Sequence, residues 1–596
     1  MRKRLVTLLI LALCGALLMG CSPARQAVQS KLCEVTIGGG PGFRAQRSSV
    51  TVRSGEDAVF LLIPEAGYAF GSADYPDYTV QSAGGKQTLT LRAVRDSAAV
   101  RVTYLPCARK LRYHGNGGLT ASGDEAVTLP VSDGKLRGNT SQGIDLFFRE
   151  GHTLYAWNTR PDGSGAQIGL GSRTEVSEET RDLYAMWQPW NDETLFTFQE
   201  TGDGLMLTGY GGETEVLCIP SSIQGQSVTG IAPGAFSGFA GRAVILPPTL
   251  REIGADAFHG GALEELYLFD SLTRLDPLAF SDCKSLSRLH INAATAPRYM
   301  TYFATFADKY DRLLSLKDSP KIVLFSGSSA RFGYDSPLVD ACFPEYGVVN
   351  MGVFAYSNAR PQMEIILSCM REGDILLHTP EFDASNYQFC TDSALSHTLF
   401  NMMEANYDAL ALLDMRTYDQ VIPALSAYLN IRTGLEEGSY AFCPADFDED
   451  GNPSATPTYN AYGDYTLPRP NASFSKPIYG LPVRYTVEAF TSEPFAESLN
   501  AVYDRFLEAG ARVYFSYAPR NIEALSIDST EINRAELNAY FRRTLHARVI
   551  SNIEDSLFSG IYLFETDNHL STEGVGMYTQ RIIRDLQAAI QEEAGL

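Results

Sequence analysis

A serine-rich turn near the middle of the chain has the residue type that a nucleophile requires. The apolar run 322–325 stops at Ser326-Gly327-Ser328-Ser329. This pattern predicts a buried parallel strand that ends in a tight turn, and strand ends in open α/β sheets point into the ligand crevice. A serine hydroxyl becomes nucleophilic beside a general base, so we expect a histidine near this turn in the folded chain.

His569 is the best candidate for that base. It follows the last predicted strand and precedes a predicted C-terminal helix. A catalytic imidazole needs an acidic partner that orients it. Asp567 lies two residues upstream and is the favoured partner, with Glu565 as the runner-up.

Alternating strands and helices over 297–596 would position these residues. The candidate strands are 322–325, 348–351, 375–378, 512–516 and 561–564. The candidate helices are 297–316, 360–371, 395–413, 420–429, 495–509, 531–546 and 572–592. This alternation predicts a parallel sheet flanked by helices.

The two ends of this domain together resemble the SGNH/GDSL hydrolase family, whose extracytoplasmic branches carry an N-terminal Gly-x-Ser and a C-terminal His-Leu block. The resemblance implies a flavodoxin-like, three-layer α/β domain and an enzyme without a cofactor. It maps the nucleophile to Ser329 and the base to His569, and it gives Asp567 the orienting role.

The oxyanion hole of that family is incomplete in this sequence. The resemblance implies backbone donors at Ser329 and at Gly352, after the second strand. The family's third block supplies an asparagine, whereas here the third strand runs on to Glu381, and an ionised carboxylate cannot donate. Either the two backbone donors act alone, or Asn350 or Asn358 adds a third.

Other polar residues of this domain have weaker functional interpretations. His378 is the second-best histidine, with a packing role favoured. Glu381 and Asp383 either line the substrate cleft or are structural. The acidic run 446–451 begins like a calcium loop but has proline at the twelfth position, so a solvated loop without metal is expected.

The N-terminus has the features of a lipoprotein signal peptide over 1–21. Basic residues precede an apolar run that is too short for a comfortable membrane span and ends at Cys21. The ending Leu18-Met19-Gly20-Cys21 resembles a lipobox. It implies acylation of Cys21, palmitate included, and a membrane partner through that anchor. A polar tether, 22–30, would follow, and the mature chain would be lipid-anchored, extracytoplasmic and surface exposed.

Short alternating runs over 31–108 predict a small antiparallel β-sandwich. Cys33 and Cys107 bracket this segment. Outside the cytoplasm a disulfide between them is plausible, and two buried free thiols are the equal alternative.

Residues 109–190 carry aromatic and glycine-rich motifs at 113–118, 154–159 and 183–187. They resemble the internalin-type B repeat, a β-grasp-like module of bacterial surface proteins. The resemblance implies display outside the cell and a possible protein partner. Aromatic residues at strand positions would supply the core of this module.

An internal repeat occupies 195–296. Ala235-Phe236, Ala257-Phe258 and Ala279-Phe280 recur every 22 residues, and three units are clear. A period in the twenties predicts a solenoid, and the pattern resembles the leucine-rich repeats of bacterial surface proteins. A rigid spacer is favoured over a concave binding face.

The 596 residues therefore predict a multidomain chain, and its net charge of −22 argues against nucleic acid as a partner. The expected function is that of a surface-anchored serine esterase or O-acyltransferase. Its expected substrates are acyl groups, with acetyl favoured, on a glycan or other surface polymer. The alternative is a non-catalytic adhesion protein with a degenerate SGNH scaffold.

Overall fold

The structure is a computed structural model that describes most of the chain after residue 30. The described residues are 31–39, 43–64, 68–83, 86–106, 110–130, 137–139, 146–175, 180–294, 298, 303, 305–355, 357–381, 393–434, 459–472, 482–491, 494–593 and 595. The chain divides into two compact units, one ending at Leu105 and the other spanning Pro106–Leu596. Cys21 and Cys107 lie outside the described residues, so the predicted lipidation and disulfide stay predictions.

The first unit is a β-sandwich. Its strands are β1 (Leu32–Gly39), β2 (Phe43–Ala45), β3 (Ser49–Arg53), β4 (Glu56–Pro64), β5 (Tyr68–Ala73), β6 (Tyr78–Ala83), β7 (Lys86–Val94) and β8 (Ala98–Pro106). They form two four-stranded sheets, β3-β1-β8-β5 and β2-β4-β7-β6, that share one core. The sandwich is not purely antiparallel as predicted, because β1 and β8 pair in parallel. Cys33 is a buried free thiol.

The second unit opens with a mixed sheet. Its strands are β9 (Lys110–His114), β10 (Ala126–Pro130), β11 (Arg137–Asn139), β12 (His152–Asn158), β13 (Gln167–Ile168), β14 (Arg173–Glu175) and β15 (Thr180–Pro189). The main sheet has the order β10-β9-β15-β12-β13, with β9 and β15 parallel. The aromatic residues do supply its core, since Trp157 is fully buried and its ring centroid lies 4.9 Å from that of Tyr113.

The repeat region follows as a two-sided stack of short strands. They are β16 (Phe196–Thr201), β17 (Gly204–Tyr210), β18 (Val216–Cys218), β19 (Ser222–Ile223), β20 (Gln226–Ile231), β21 (Ala243–Ile245), β22 (Glu252–Ile253), β23 (Glu265–Phe269), β24 (Arg274–Leu275) and β25 (Arg288–Asn292). The ladders β18-β21-β23-β25 and β20-β22-β24 are parallel. Between them the recurring phenylalanines stack, with ring centroids 5.1 Å apart for Phe236 and Phe258 and 4.9 Å for Phe258 and Phe280.

The last part of the unit alternates strands and helices. The strands are β26 (Lys321–Phe325), β27 (Gly347–Asn350), β28 (Ile375–His378), β29 (Arg512–Phe515), β30 (Arg520–Asn521), β31 (Arg548–Val549) and β32 (Leu557–Phe558). The helices are α1 (Thr305–Ser315), α2 (Ser328–Gly333), α3 (Ser336–Cys342), α4 (Ala359–Leu367), α5 (His397–Met403), α6 (Val421–Thr433), α7 (Val487–Thr491), α8 (Phe495–Glu508), α9 (Glu531–Thr544) and α10 (Thr572–Glu593).

Five of these strands form a parallel sheet in the order β27-β26-β28-β29-β31. Numbered along the chain this order is 2-1-3-4-5, as in flavodoxin-like doubly wound sheets. The predicted fifth strand, 561–564, is wrong. β31 takes that place, and Gly560–Tyr562 is a 3₁₀ helix. β26 is buried along its whole length, and Lys321 at its start forms a buried ion pair with Asp374.

The repeat region and the parallel sheet are continuous in their packing. Buried residues of both belong to one hydrophobic core. The Ser426 hydroxyl on α6 donates to the Leu275 carbonyl of β24 at 2.5 Å. The Arg432 guanidinium, also on α6, lies 3.1 Å from the Asp270 carboxylate and 2.6 Å from that of Glu404. One face of the stack is therefore built into the neighbouring domain.

Within the described residues, no helix is long and apolar enough to cross a bilayer. The same residues contain no group of three or more histidine, cysteine, aspartate or glutamate side chains that could hold a metal ion.

We predict that Arg432→Met lowers the free energy of unfolding by about 3–5 kcal/mol, because it leaves Asp270 and Glu404 buried without their guanidinium partner. Urea denaturation of the full chain measures the change. The control is Arg416→Met, which breaks an exposed pair with Asp414 and should cost less than about 1 kcal/mol. Equal effects of the two substitutions would show that the buried pair does not hold the repeats to the sheet.

Candidate active site

The serine turn is shaped by a close approach of two backbone segments. β26 ends at Phe325, and α2 begins at Ser328. A Cβ at Gly327 would lie 2.5 Å from the Ala355 Cα, so only glycine fits there. The turn therefore packs directly against the segment that follows β27, and Ser328 and Ser329 start a helix at the carboxyl end of a buried strand.

His569 is held in a short hairpin loop before α10. Leu563 and Leu570 pair as an isolated antiparallel bridge, and the Phe564 N–H donates to the His569 carbonyl at 2.7 Å. Glu565 turns the chain with φ of 49°. This reversal places residues 565 and 569 side by side.

The structure brings His569 to Ser328. The His569 Nε2 lies 2.9 Å from the Ser328 Oγ, which is hydrogen-bond distance. The predicted pairing with Ser329 is wrong by one residue. The Ser329 hydroxyl is buried and has no hydrogen-bond partner, because successive residues at the start of a helix project in different directions.

The acidic partner of the imidazole is Glu565. Its Oε1 lies 3.2 Å from the His569 Nδ1. Asp567, the favoured residue, instead accepts from Asn521, whose side-chain amide donates to the Asp567 Oδ1 at 2.7 Å. The reason is the hairpin, which puts residue 565 rather than 567 opposite the ring. Glu565, the second choice of the sequence analysis, is thus the acid that contacts the imidazole.

Burial dominates the electrostatics of the base. It lowers the pKa of His569 below its ordinary value of 6.5, and the hydrogen bond that the His569 Nδ1–H donates to Glu565 opposes that shift. The same hydrogen bond lowers the pKa of Glu565. His569 is therefore neutral at pH 7, the form that accepts a proton. The ring of Phe332 covers it, with centroids 4.1 Å apart.

The predicted oxyanion donors are already engaged within the protein. The Gly352 N–H donates to the Asn350 Oδ1 at 3.0 Å. The Asn350 amide donates to the Ala330 carbonyl at 2.8 Å and to Asp464 at 2.9 Å. The Asn358 amide donates to the Ala394 carbonyl at 2.7 Å. These asparagines hold the strand-end turns in place and do not point a donor at Ser328.

The remaining predicted donor, the Ser329 N–H, is hydrogen-bonded to Glu381. Its Oε1 accepts from the Ser329 N–H at 2.6 Å and lies 3.4 Å from the Ser328 Oγ. Its Oε2 accepts from the Asn568 amide at 3.2 Å. The backbone N–H of the residue after a nucleophile is the usual oxyanion donor of α/β hydrolases. Glu381 thus lines the cleft, as one of its two interpretations held, and it does so at the position where an oxyanion would bind.

Two residues that support the site, Asn568 and Asp464, could not be identified from the sequence. Asn568 orients Glu381, and no spacing rule distinguishes it from its neighbours in the hairpin. Asp464 is buried and accepts from the Ser336 hydroxyl at 2.6 Å as well as from Asn350.

The other predicted residues lie apart from this site or outside the described residues. His378 is buried with its Nδ1 2.7 Å from the Tyr503 hydroxyl, as a packing role requires. Asp383 and the acidic run 446–451 lie outside the described residues.

Residues 218–305 match the family described as the BspA type leucine rich repeat region, in six copies. The chain carries BspA-type leucine-rich repeats. The predicted stack of three clear units was thus too short. Leucine-rich repeats commonly mediate protein interactions, so a binding role for this region stands beside the spacer role.

Part of the chain is also similar to a solved structure. A crystal structure of a leucine-rich repeat protein of T. pallidum is similar at 21% identity and a TM-score of 0.17, over 32% of this chain and 71% of that chain. No curated protein matches the chain. No match supports an SGNH/GDSL domain or a B repeat.

We predict that the pKa of His569, followed by NMR of the imidazole, lies below 6.5 because burial disfavours the charged ring. Glu565→Gln should lower it further, since the hydrogen bond to the Glu565 carboxylate is the largest of the interactions that raise it. A His569 pKa above 6.5, or a rise in Glu565→Gln, would contradict this electrostatic account.

Proposed function

We propose that this chain is a surface-anchored serine esterase or O-acyltransferase, with Ser328 as nucleophile, His569 as general base and Glu565 as the orienting acid. The observation that carries the proposal is the 2.9 Å contact between the Ser328 Oγ and the His569 Nε2. The order 2-1-3-4-5 of the parallel sheet and the resemblance of both motif blocks to SGNH/GDSL hydrolases support it.

The mechanism follows from this contact. The Ser328 Oγ attacks the ester carbonyl and transfers its proton to the His569 Nε2. The tetrahedral intermediate collapses as the imidazolium protonates the leaving alcohol. Water or a second hydroxyl then attacks the acyl-enzyme, with His569 again taking the proton, so hydrolysis and transfer differ only in the acceptor.

To stabilise the tetrahedral intermediate, the Ser329 N–H must first be released from Glu381. The Ser329 N–H is the available backbone donor, and the Glu381 carboxylate accepts from it at 2.6 Å. A substrate carbonyl must replace that carboxylate oxygen, since two negative oxygens cannot share the donor. Losing one oxyanion donor costs about 2.7–4 kcal/mol of transition-state stabilisation, so slow turnover is expected while Glu381 stays in place.

The surface location and substrate class rest on the N-terminal part of the chain. The lipobox-like sequence ending at Cys21 supports a lipid anchor, and the resemblance of 109–190 to a B repeat supports display outside the cell. The leucine-rich repeats support contact with a protein partner. An acylated glycan or other surface polymer is the substrate that fits such a location.

One observation favours a second candidate, a surface adhesion protein whose α/β domain is catalytically degenerate. Glu381 holds an anionic group where catalysis needs a donor. In that case the repeats carry the function and the Ser328–His569 contact is structural. The two candidates differ in whether Ser328 reacts.

We predict that a fluorophosphonate probe labels the wild-type chain and that Ser328→Ala abolishes the labelling, because the Ser328 hydroxyl lies at hydrogen-bond distance from the base. Ser329→Ala is the matched control and should keep most of it, since the Ser329 hydroxyl has no partner. Labelling that persists in Ser328→Ala and disappears in Ser329→Ala would reject this assignment. An unlabelled wild-type chain would favour the adhesion candidate.

Glu565→Gln should lower kcat/KM for ester hydrolysis by about 10²-fold, the lower end of acid–base contributions, because Glu565 is half exposed. Asp567→Asn should have a smaller effect on kcat/KM, since the Asp567 carboxylate bonds to Asn521. Steady-state kinetics on one soluble ester compares the two variants. A larger loss in Asp567→Asn than in Glu565→Gln would return the orienting role to Asp567.

A further inference from the structure

The segment 459–472 runs along the candidate active site and is bonded to both of its halves. The Tyr465 N–H donates to the Arg331 carbonyl of α2 at 3.1 Å. Farther along, the Arg469 N–H donates to the Thr572 hydroxyl at 2.9 Å, and the Thr572 N–H donates back to the Arg469 carbonyl at 3.0 Å. Since α2 begins with the nucleophile and α10 begins just after the general base, these bonds place the segment beside the reacting groups.

The side chain of Arg469 lies close to the general base. Its Cζ is 5.3 Å from the centroid of the Phe332 ring and 5.4 Å from that of the Tyr465 ring. The Phe332 ring is the one that covers the imidazole of His569. The Cζ of Arg331 lies 4.3 Å from the same Phe332 centroid. Two guanidinium groups therefore contact the ring that contacts the imidazole.

The Arg469 guanidinium is buried without a carboxylate partner. Arg469 is 5% exposed, and no aspartate or glutamate of the described residues forms an ion pair with it. Its Nη1 donates to the Tyr465 carbonyl at 3.2 Å, and its Nε is enclosed without a hydrogen-bond partner. The Nη2 makes no hydrogen bond to the described residues and, unlike the Nε, is accessible to solvent. The Nη2 is therefore the donor that an incoming group can reach.

The nearby acids do not offset the burial of this charge. The Glu565 carboxylate bonds to the imidazole, and the Asp464 carboxylate accepts from the Ser336 hydroxyl and the Asn350 amide. Burial lowers the pKa of Arg469 to about 10, and the attraction of these two carboxylates only partly opposes that shift. An unpaired charge in a buried position is unfavourable, and an anion that bonds to the guanidinium would relieve this cost.

This arrangement distinguishes substrates by charge. A guanidinium binds a carboxylate or a phosphate group through charge-assisted hydrogen bonds, and aromatic rings that stack on it hold its plane in place. A neutral hydroxyl can accept from the same nitrogen but leaves the positive charge without a counterion. An ammonium would be repelled. The group that fits beside Arg469 is therefore an anion.

We propose that Arg469, assisted by Arg331, forms a subsite for a carboxylate or phosphate group that the ester substrate carries near its acyl group. The inference rests on the proposed function and narrows its substrate from any acylated surface polymer to an acidic one. Arg469 is here a specificity-determining residue that binds substrate and takes no part in proton transfer. A bound anion would also stabilise the imidazolium, so occupation of the subsite should raise the pKa of His569.

Three sugars test this inference: galactose, galacturonate and galactose 6-phosphate, which share one ring and differ in the group at carbon 6. Each is titrated into the full chain at pH 7 and constant ionic strength, and binding is measured from the imidazole NMR signals of His569. We expect both anions to bind at least about 10-fold more tightly than galactose, as a hydrogen bond to a charged group gives. The tighter of the two shows whether the subsite prefers a carboxylate or a phosphate.

Three variants assign the effect to the subsite. Arg469→Gln should bring the affinities of the three sugars close together, because it removes the charge. Arg469→Lys keeps the charge and should retain part of the preference for the anions. Arg543→Gln, the same change at an exposed position of α9, should leave the preference as in the wild type.

Three outcomes would overturn the inference while Ser328 is still labelled by fluorophosphonate. They are equal affinities in the wild type, His569 signals that none of the sugars changes, and a preference that survives in Arg469→Gln. A wild-type chain that is not labelled means instead that the proposed function has failed, and the role of the subsite in binding an ester substrate fails with it.

Discussion

The candidate site depends on the close approach of the turns that follow β26 and β27. A Cβ at Gly327 would collide with the Ala355 backbone at 2.5 Å, and a Cβ at Gly352 would lie 2.7 Å from the Gly327 carbonyl oxygen. Two glycines facing each other let the turns touch, and this contact fixes where α2 begins. Ser328 is the first residue of that helix, so its hydroxyl reaches the imidazole.

The repeat stack is joined to this framework by packing. α6 carries Arg432 into a buried cluster with Asp270 of the repeats and Glu404 of the sheet domain. A partner that binds the repeats would therefore be held at a defined place relative to the candidate active site. This arrangement suits an enzyme that acts on a polymer near its own anchoring surface, and it equally suits an adhesion module with a rigid base.

Much of the fold could be predicted from the sequence, because the spacing of hydrophobic residues identifies buried strands and the recurring phenylalanines mark the repeats. The site was predictable only to within a residue or two. The Gly-x-Ser pattern of the family resemblance points to Ser329, and the run Ser326–Ser329 does not reveal where the helix starts. Spacing along the chain likewise favoured Asp567, whereas the bridge between Leu563 and Leu570 folds Glu565 back onto the ring. Tertiary contacts that no local pattern encodes determine which serine and which acid meet His569. The fifth strand of the sheet was predicted at 561–564 instead of β31 for the same reason.

The central claim is that Ser328 is a nucleophile whose oxyanion donor, the Ser329 N–H, is covered by Glu381 until substrate arrives. A crystal structure of the full chain after reaction with a phosphonate ester tests it most directly. The account predicts a covalent bond from the Ser328 Oγ to phosphorus, a phosphoryl oxygen at the Ser329 N–H, and Glu381 displaced from that donor. An adduct on Ser329, or an unreacted Ser328 with Glu381 still bound to the Ser329 N–H, would contradict it.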